Sequence, residues 1–279
     1  MRSTMAVALS RVRTNGIETT VATAGSGPAV LLLHGFPHTW QLWQEVLPAL
    51  ARTHRVIAPD QRWAGSDATD GYDAGTLAAD ALGILDALGE PSATVVGIDA
   101  GTPPAALLAL RHPGRVRRLV VMESLLGTLP GGEDFLKAGP PWWFGFHAVP
   151  GLAEEVLAGN EAAYLDFFLA AGTRGRGVPA AVRDAFVTAY TGTAALRRAF
   201  SFYRELPRTA GQIEAAVREH RLTVPTLAVG AHPVGDALAR QLRPVTDDLT
   251  SRLIPDCGHI IPLDRPAELL SVLEPFLRR

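Results

Sequence analysis

The stretch from residue 93 to residue 111 constrains the fold more than any other. Ala93-Thr94-Val95-Val96-Gly97-Ile98 is apolar with no regular polar alternation, and Asp99-Ala100-Gly101 leads straight into Thr102–Arg111, a mostly apolar run of helical length. A strand without a polar face is buried on both sides, as happens in a parallel sheet carrying helices on each face. So abrupt a turn from strand to helix needs small residues, and Gly97, Ala100 and Gly101 supply them. Val30–Leu33, Val56–Ala58, Arg118–Met122, Thr226–Val229 and Arg252–Ile254 read as further strands, and Thr39–Ala51, Ala74–Leu88 and Pro266–Leu277 as helices. This alternation predicts an α/β fold with a mostly parallel sheet flanked by helices. Ala8–Arg13 and Ile17–Thr23 meet at Asn15-Gly16, a hairpin signal, so that edge of the sheet is expected to be antiparallel.

Residues 127–222 interrupt the pattern. They contain no convincing buried strand, several amphipathic stretches, and breaks at Pro130-Gly131-Gly132, Gly139-Pro140-Pro141 and Gly172–Gly177. The expectation is a helical cap over 127–222, inserted into an α/β core made of 1–126 and 223–279. Ligands of such sheets bind beyond the carboxyl ends of the strands. Phe36, Asp99, Glu123 and His259 all fall there, beneath the expected cap.

The turn at Asp99 also bears on chemistry. A carboxylate attacking an acyl carbon gives a labile anhydride, whereas one attacking an sp3 carbon gives an alkyl ester that water can cleave. Alone, Gly-x-Asp-x-Gly is a common turn. Here it is joined by His34-Gly35-Phe36-Pro37 after one strand, Pro59-Asp60-Gln61-Arg62 with Ala64-Gly65-Ser66 after another, and Pro255-Asp256-Cys257-Gly258-His259 near the end. In this order and at these intervals, the pieces resemble the α/β-hydrolase superfamily, in its epoxide hydrolase and dehalogenase branch, over nearly the whole chain. Asp99 stands where the nucleophile elbow of that superfamily usually carries serine.

The resemblance implies a set of roles. Asp99 is the nucleophile, already ionised near neutral pH. His259 is the general base for the water that cleaves the ester. Glu123, after Leu119–Met122, is the favoured acid to orient that histidine, while Asp236 is a competitor for which a helix N-cap is a sufficient explanation. The backbone N–H groups of Phe36 and Ala100 form the oxyanion hole. Tyr203, preceding Arg204, and Trp142 or Trp143 are the cap donors to the epoxide oxygen; packing in the cap core is the plainer account of all three. His34 and His232 read as structural.

Fluoroacetate dehalogenases carry arginines where this chain has Ala100 and Pro103. Haloalkane dehalogenases carry Trp and Asn where it has Ala100 and Phe36. The resemblance therefore favours an epoxide hydrolase that yields a vicinal diol without a cofactor or metal. Its Trp pair and later Tyr imply an apolar or aromatic epoxide, as in bacterial natural-product biosynthesis. The alternatives are hydrolytic dehalogenation and non-catalytic ligand binding on the same fold. Two departures from the family pattern stand out: Trp63 replaces a usual glycine, and Pro103-Pro104 opens the helix after Asp99.

Composition adds limits. With 279 residues, 47% of them hydrophobic, the chain can bury a large core plus an inserted subdomain. A formal net charge of -2 gives no electrostatic reason to expect nucleic acid or an anionic membrane. A single cysteine excludes internal disulfides and a multi-cysteine zinc site, and suits a reducing cytoplasm. Met1–Ser10 lacks a signal-peptide profile, and no apolar run is long enough to span a bilayer. Lys137 is the only lysine, a bias of high-GC bacterial genomes. A homodimer is left open.

Overall fold

A computed structural model describes residues 6–278. Residues 1–5, half of the segment read for a leader, lie outside the described residues. The chain opens with β1 (Ala8–Thr14) and β2 (Ile17–Ala24), paired antiparallel with Thr14 opposite Ile17. Asn15 and Gly16 both have positive φ, 40° and 79°, which is the conformation an Asn-Gly hairpin supplies at low cost. Then come β3 (Ala29–Leu33), α1 (Leu47–Leu50), β4 (Arg55–Pro59), α2 (Ala74–Ala87), β5 (Ala93–Ile98), α3 (Thr102–Arg111) and β6 (Val116–Met122). Six helices follow: α4 (Trp142–Ala148), α5 (Leu152–Leu157), α6 (Glu161–Gly172), α7 (Ala180–Tyr190), α8 (Thr193–Arg204) and α9 (Leu206–Glu219). The chain ends with β7 (Thr226–Gly230), α10 (Ala237–Leu242), β8 (Leu249–Leu253), α11 (Ile261–Asp264) and α12 (Pro266–Leu277).

The eight strands form one sheet in the order β1-β2-β4-β3-β5-β6-β7-β8. β2 is antiparallel to β4, and every pairing from β4 to β8 is parallel. Every residue of β3 and β5 is buried, as apolar runs without alternation require. The sheet separates two hydrophobic clusters, one including Leu31, Leu107 and Val121, the other Leu32, Val96 and the buried residues of α6–α8.

The helix expected over Thr39–Ala51 is instead a 3-10 turn, Trp40–Trp43, followed by the single turn of α1. Pro48 contributes to the break, because it has no N–H to bond back to the preceding turn, and it stands in the first turn of α1, where that N–H has no helical partner. α3 matches its expected bounds despite Pro103-Pro104, since first-turn N–H groups have no helical partner anyway. No helix among the described residues is long and apolar enough to cross a membrane.

Candidate active site

Asp99 sits at the carboxyl end of β5 with φ +52°, a left-handed conformation that strains a residue bearing a side chain by about 1–2 kcal/mol. The strain persists because the surrounding backbone leaves no alternative. A Cβ on Gly97 would overlap the carbonyl of Gly101, and one on Gly101 would overlap the carbonyl of Leu33. A Cβ on Gly35 would overlap Asp99 itself. Three glycines thus let two loops close around one carboxylate. Thr102 Oγ1 donates to the carbonyls of Gly97 and Met122, each at 3.1 Å, which ties the start of α3 to β5 and β6.

Asp99 Oδ1 accepts from Phe36 N–H at 2.9 Å, and Asp99 Oδ2 lies 3.1 Å from His259 Nε2. His259 Nδ1 lies 3.1 Å from Glu123 Oε2. The Glu123 side chain is fully buried, and its φ of +41° places a second left-handed residue in the site. It accepts from Ala231 N–H at 2.5 Å and from Val234 N–H at 3.4 Å. Burial pushes the Asp99 carboxyl up, but His259 and the N–H groups of Ala100 and Phe36 outweigh it and hold the group below the ordinary carboxylate range. Burial pulls His259 down, yet its hydrogen bonds to Asp99 and Glu123, and their charges, push it up to about 10. The unreacted site therefore holds an imidazolium between two carboxylates.

Asp236 does not join this chain. Its side chain is 55% exposed and pairs with Arg240 at 3.0 Å, and it makes no side-chain cap bond at the start of α10 although it occupies the N-cap position. His34 is buried and hydrogen-bonded on both ring nitrogens, accepting from Gln61 N–H at 2.9 Å and facing Gly35 O at 2.8 Å. A recess of about 350 Å³ between β7, β8 and α10 is bordered by Asp236 but not by Asp99, Glu123 or His259.

Above Asp99 the walls are aromatic. The Phe36 ring meets His147, Phe168, Tyr190, Phe200 and Tyr203 edge-on at 5.4–6.1 Å. Tyr203, on α8, is buried; burial first, and then the charge of Asp99, keep its phenol protonated. The next residue, Arg204, is clamped to buried Glu154 of α5 at 2.7 Å. Trp63 explains its own departure from the family pattern: it is fully buried, 5.2 Å from the Phe202 ring, and braces α8 from below.

The tryptophan pair is not gathered with this set. Trp142 is 56% exposed and packs on Phe146, Tyr164 and Phe167. Trp143 meets Phe168 and Phe144, themselves neighbours of Phe36 and Tyr203, so it stands one ring removed from both. The polar groups α4 and α6 do bring near Tyr203 are His147, 4.4 Å from its ring, and Tyr164, whose Oη lies 2.6 Å from His147 Nε2. Sequence reasoning missed both. Their signal was spacing, since His147 lies four residues after Trp143 and shares its side of α4. Burial, with a smaller contribution from Arg204, lowers His147 to about 3, so the imidazole is neutral. His147 Nδ1 is buried with no hydrogen-bond partner among the described residues.

This architecture agrees with comparison to known proteins. A family model described as alpha/beta hydrolase fold matches residues 28–266. The chain belongs to the α/β-hydrolase fold family. Within that family it is 28% identical over 274 residues to the soluble epoxide hydrolase of Corynebacterium sp. (strain C12), covering 94% of each chain. A shorter match, 42% identical over 99 residues, is to epoxide hydrolase B of Mycobacterium tuberculosis (strain H37Rv) and covers 34% of this α/β-hydrolase and 28% of that protein. Among solved structures, epoxide hydrolase A from Mycobacterium thermoresistibile superposes with a TM-score of 0.84 at 25% identity, covering 98% of both chains. Cfl2 from Burkholderia cenocepacia does so at 0.85 and 28% identity, covering 96% of this chain and 95% of that one.

Proposed function

We propose that this α/β-hydrolase is an epoxide hydrolase that works through an alkyl ester on Asp99. The observation that carries the reading is the unbroken line Asp99–His259–Glu123, with the second oxygen of Asp99 held by Phe36 N–H. Asp99 attacks an epoxide carbon, the carbon–oxygen bond breaks, and Tyr203 donates to the departing oxygen, assisted from the other side by the His147–Tyr164 pair. Once Asp99 is esterified, His259 has lost one of the two carboxylates that kept it charged, so it gives up its proton as the alkoxide gains one. The neutral imidazole then takes a proton from water attacking the ester carbonyl. Phe36 and Ala100 N–H groups steady the oxyanion, and a vicinal diol leaves. No protein group enters this scheme that is not within the aromatic chamber or directly beneath it.

The helices from α4 to α9 act as the cap, and the uncharged rings around Phe36 favour an apolar or aromatic epoxide. Dehalogenation is less well supported: neither Phe36 nor Ala100 has a side-chain donor, and the exposed Trp142 is poorly placed to cradle a halide. His259→Gln treated with styrene oxide tests the reading by intact mass. A stable gain of the whole epoxide mass, mapped to Asp99, is expected; turnover by wild type without any adduct in the variant would refute it.

A further inference from the structure

The loop that carries His259 is fastened to the helical insertion rather than to the sheet alone. Cys257 O accepts from His232 N–H at 3.1 Å on the core side. Further ties involve other elements. Ile260 N–H donates to Gly172 O, at the end of α6, at 2.9 Å. Gly258 N–H donates to Asp264 Oδ2 at 2.6 Å. Asp264 has a fully buried side chain and is gripped by both Nε and Nη2 of Arg176, each at 2.6 Å, from the loop between α6 and α7. Arg176 Nη2 also donates to Asp256 O at 2.9 Å. The approach is so close that a Cβ on Gly258 would overlap the carbonyl of Gly172.

We propose that the Arg176–Asp264 pair is a latch by which the helical insertion positions His259 for ester hydrolysis, a role that rests on the two-step reading above. Asp264 holds Gly258 N–H most strongly as an ionised carboxylate, and Arg176 is what makes that charge tolerable in a buried place. Removing one partner of such a pair leaves an uncompensated buried charge, which relaxes by neutralising or by swinging out. Either response frees Gly258 and lets the adjacent imidazole drift. Asp99 is held by the elbow and by Phe36 N–H, and meets the latch only through its hydrogen bond to His259, so ester formation is largely shielded from the latch. Hydrolysis is not, because a displacement of about 1 Å at a reacting group costs on the order of a hundredfold.

The test uses the full-length protein with styrene oxide in single turnover, comparing wild type, Arg176→Met, Arg176→Lys, Asp264→Asn and His259→Gln. Arg176→Met and Asp264→Asn are expected to form the Asp99 ester within about twofold of the wild-type rate but hydrolyse it about tenfold to a hundredfold more slowly. Arg176→Lys should fall between, since lysine keeps the charge without the two-pronged grip. Independently of any substrate, the low-field proton resonance of His259 Nδ1–H, shared with Glu123, should broaden or vanish in Arg176→Met. Unchanged hydrolysis in Arg176→Met and Asp264→Asn, while His259→Gln accumulates ester, overturns the latch and leaves the two-step reading standing. Equal slowing of both steps, or an identical low-field resonance in wild type and Arg176→Met, also overturns it. Absence of ester in His259→Gln while wild type turns over refutes the two-step reading, and with it the kinetic role of the latch.

Discussion

Replacing Asp99 by asparagine removes the same negative charge that esterification would remove, so it isolates the electrostatic step on which the proposed mechanism turns. His259 Nε2 is 3.1 Å from Asp99 and its Nδ1 is 3.1 Å from Glu123, and the imidazole is pushed up to about 10. At an effective dielectric of about 20, opposite unit charges roughly 3 Å apart attract by about 5 kcal/mol. The side chains of His259 and Asp99 are 24% and 28% exposed, so solvent screens part of this. A carboxylate at this range typically shifts its partner by about 1–3 pKa units, or about 1.4–4 kcal/mol. Asp99→Asn should therefore lower His259 from about 10 to roughly 7–9. The His259 Cε1 proton, followed by NMR from pH 5 to 11, reads this directly. The same linkage appears in stability: a raised imidazole pKa contributes fully below the unfolded value of about 6.5 and is lost as pH rises through the folded one. Wild type should thus lose more of its melting temperature between pH 7 and 10 than Asp99→Asn does. A His259 midpoint that moves by less than about half a unit would refute the reasoning, because a neighbour at hydrogen-bond distance cannot be electrostatically silent.

Tyr203→Phe should slow ester formation by about a hundredfold or more, whereas Trp142→Phe should stay within about twofold of wild type; rapid-quench measurement of the Asp99 adduct separates them. Gly35→Ala places a methyl group against Asp99, so kcat should fall by at least about tenfold with the far-UV circular dichroism spectrum unchanged. His34, His38 and His147 are lowered by burial to about 4, 3 and 3. Unfolding frees all three to protonate near pH 6.5, so their contribution to stability should be full above that pH and be lost as pH falls toward 3–4; His147→Phe should flatten the acid-side decline in a pH series of thermal melts.

The sheet was legible in the sequence because its strands announce themselves by the absence of a polar face. β5, the elbow and α3 follow from one run of residues, and the Asn15-Gly16 hairpin from a dipeptide. Asp99, His259 and Glu123 are singled out by the resemblance, and they lie within hydrogen-bond distance of one another because Asp99 and Glu123 directly follow β5 and β6 while His259 stands on the loop after β8. The cap obeyed no such rule. Trp142 and Trp143 read as donors and His147 is passed over, because only the rotation of α4 decides that the histidine meets Tyr203 while Trp142 is exposed. Asp236 stands in N-cap position yet spends its carboxylate on Arg240. The bidentate grip of Arg176 on Asp264 joins residues 88 apart in sequence, and no local pattern reports such a contact.

The register of β5 against β6 has a consequence for how such proteins can be rebuilt. Ile98 pairs with Met122, so Asp99 and Glu123 are the next residues on two adjacent, hydrogen-bonded strands. Their separation is thereby a dimension of the sheet itself, and a slip of one residue would turn Glu123 to the opposite face. Everything between Glu123 and β7 lies outside that dimension. A chimera that exchanged this interval for the corresponding interval of another family member would inherit the spacing of Asp99 and Glu123 intact. The seams to match would include the carbonyl of Gly172 against Gly258, the grip of Arg176 on Asp264, and the Tyr190 hydroxyl on the carbonyl of His38.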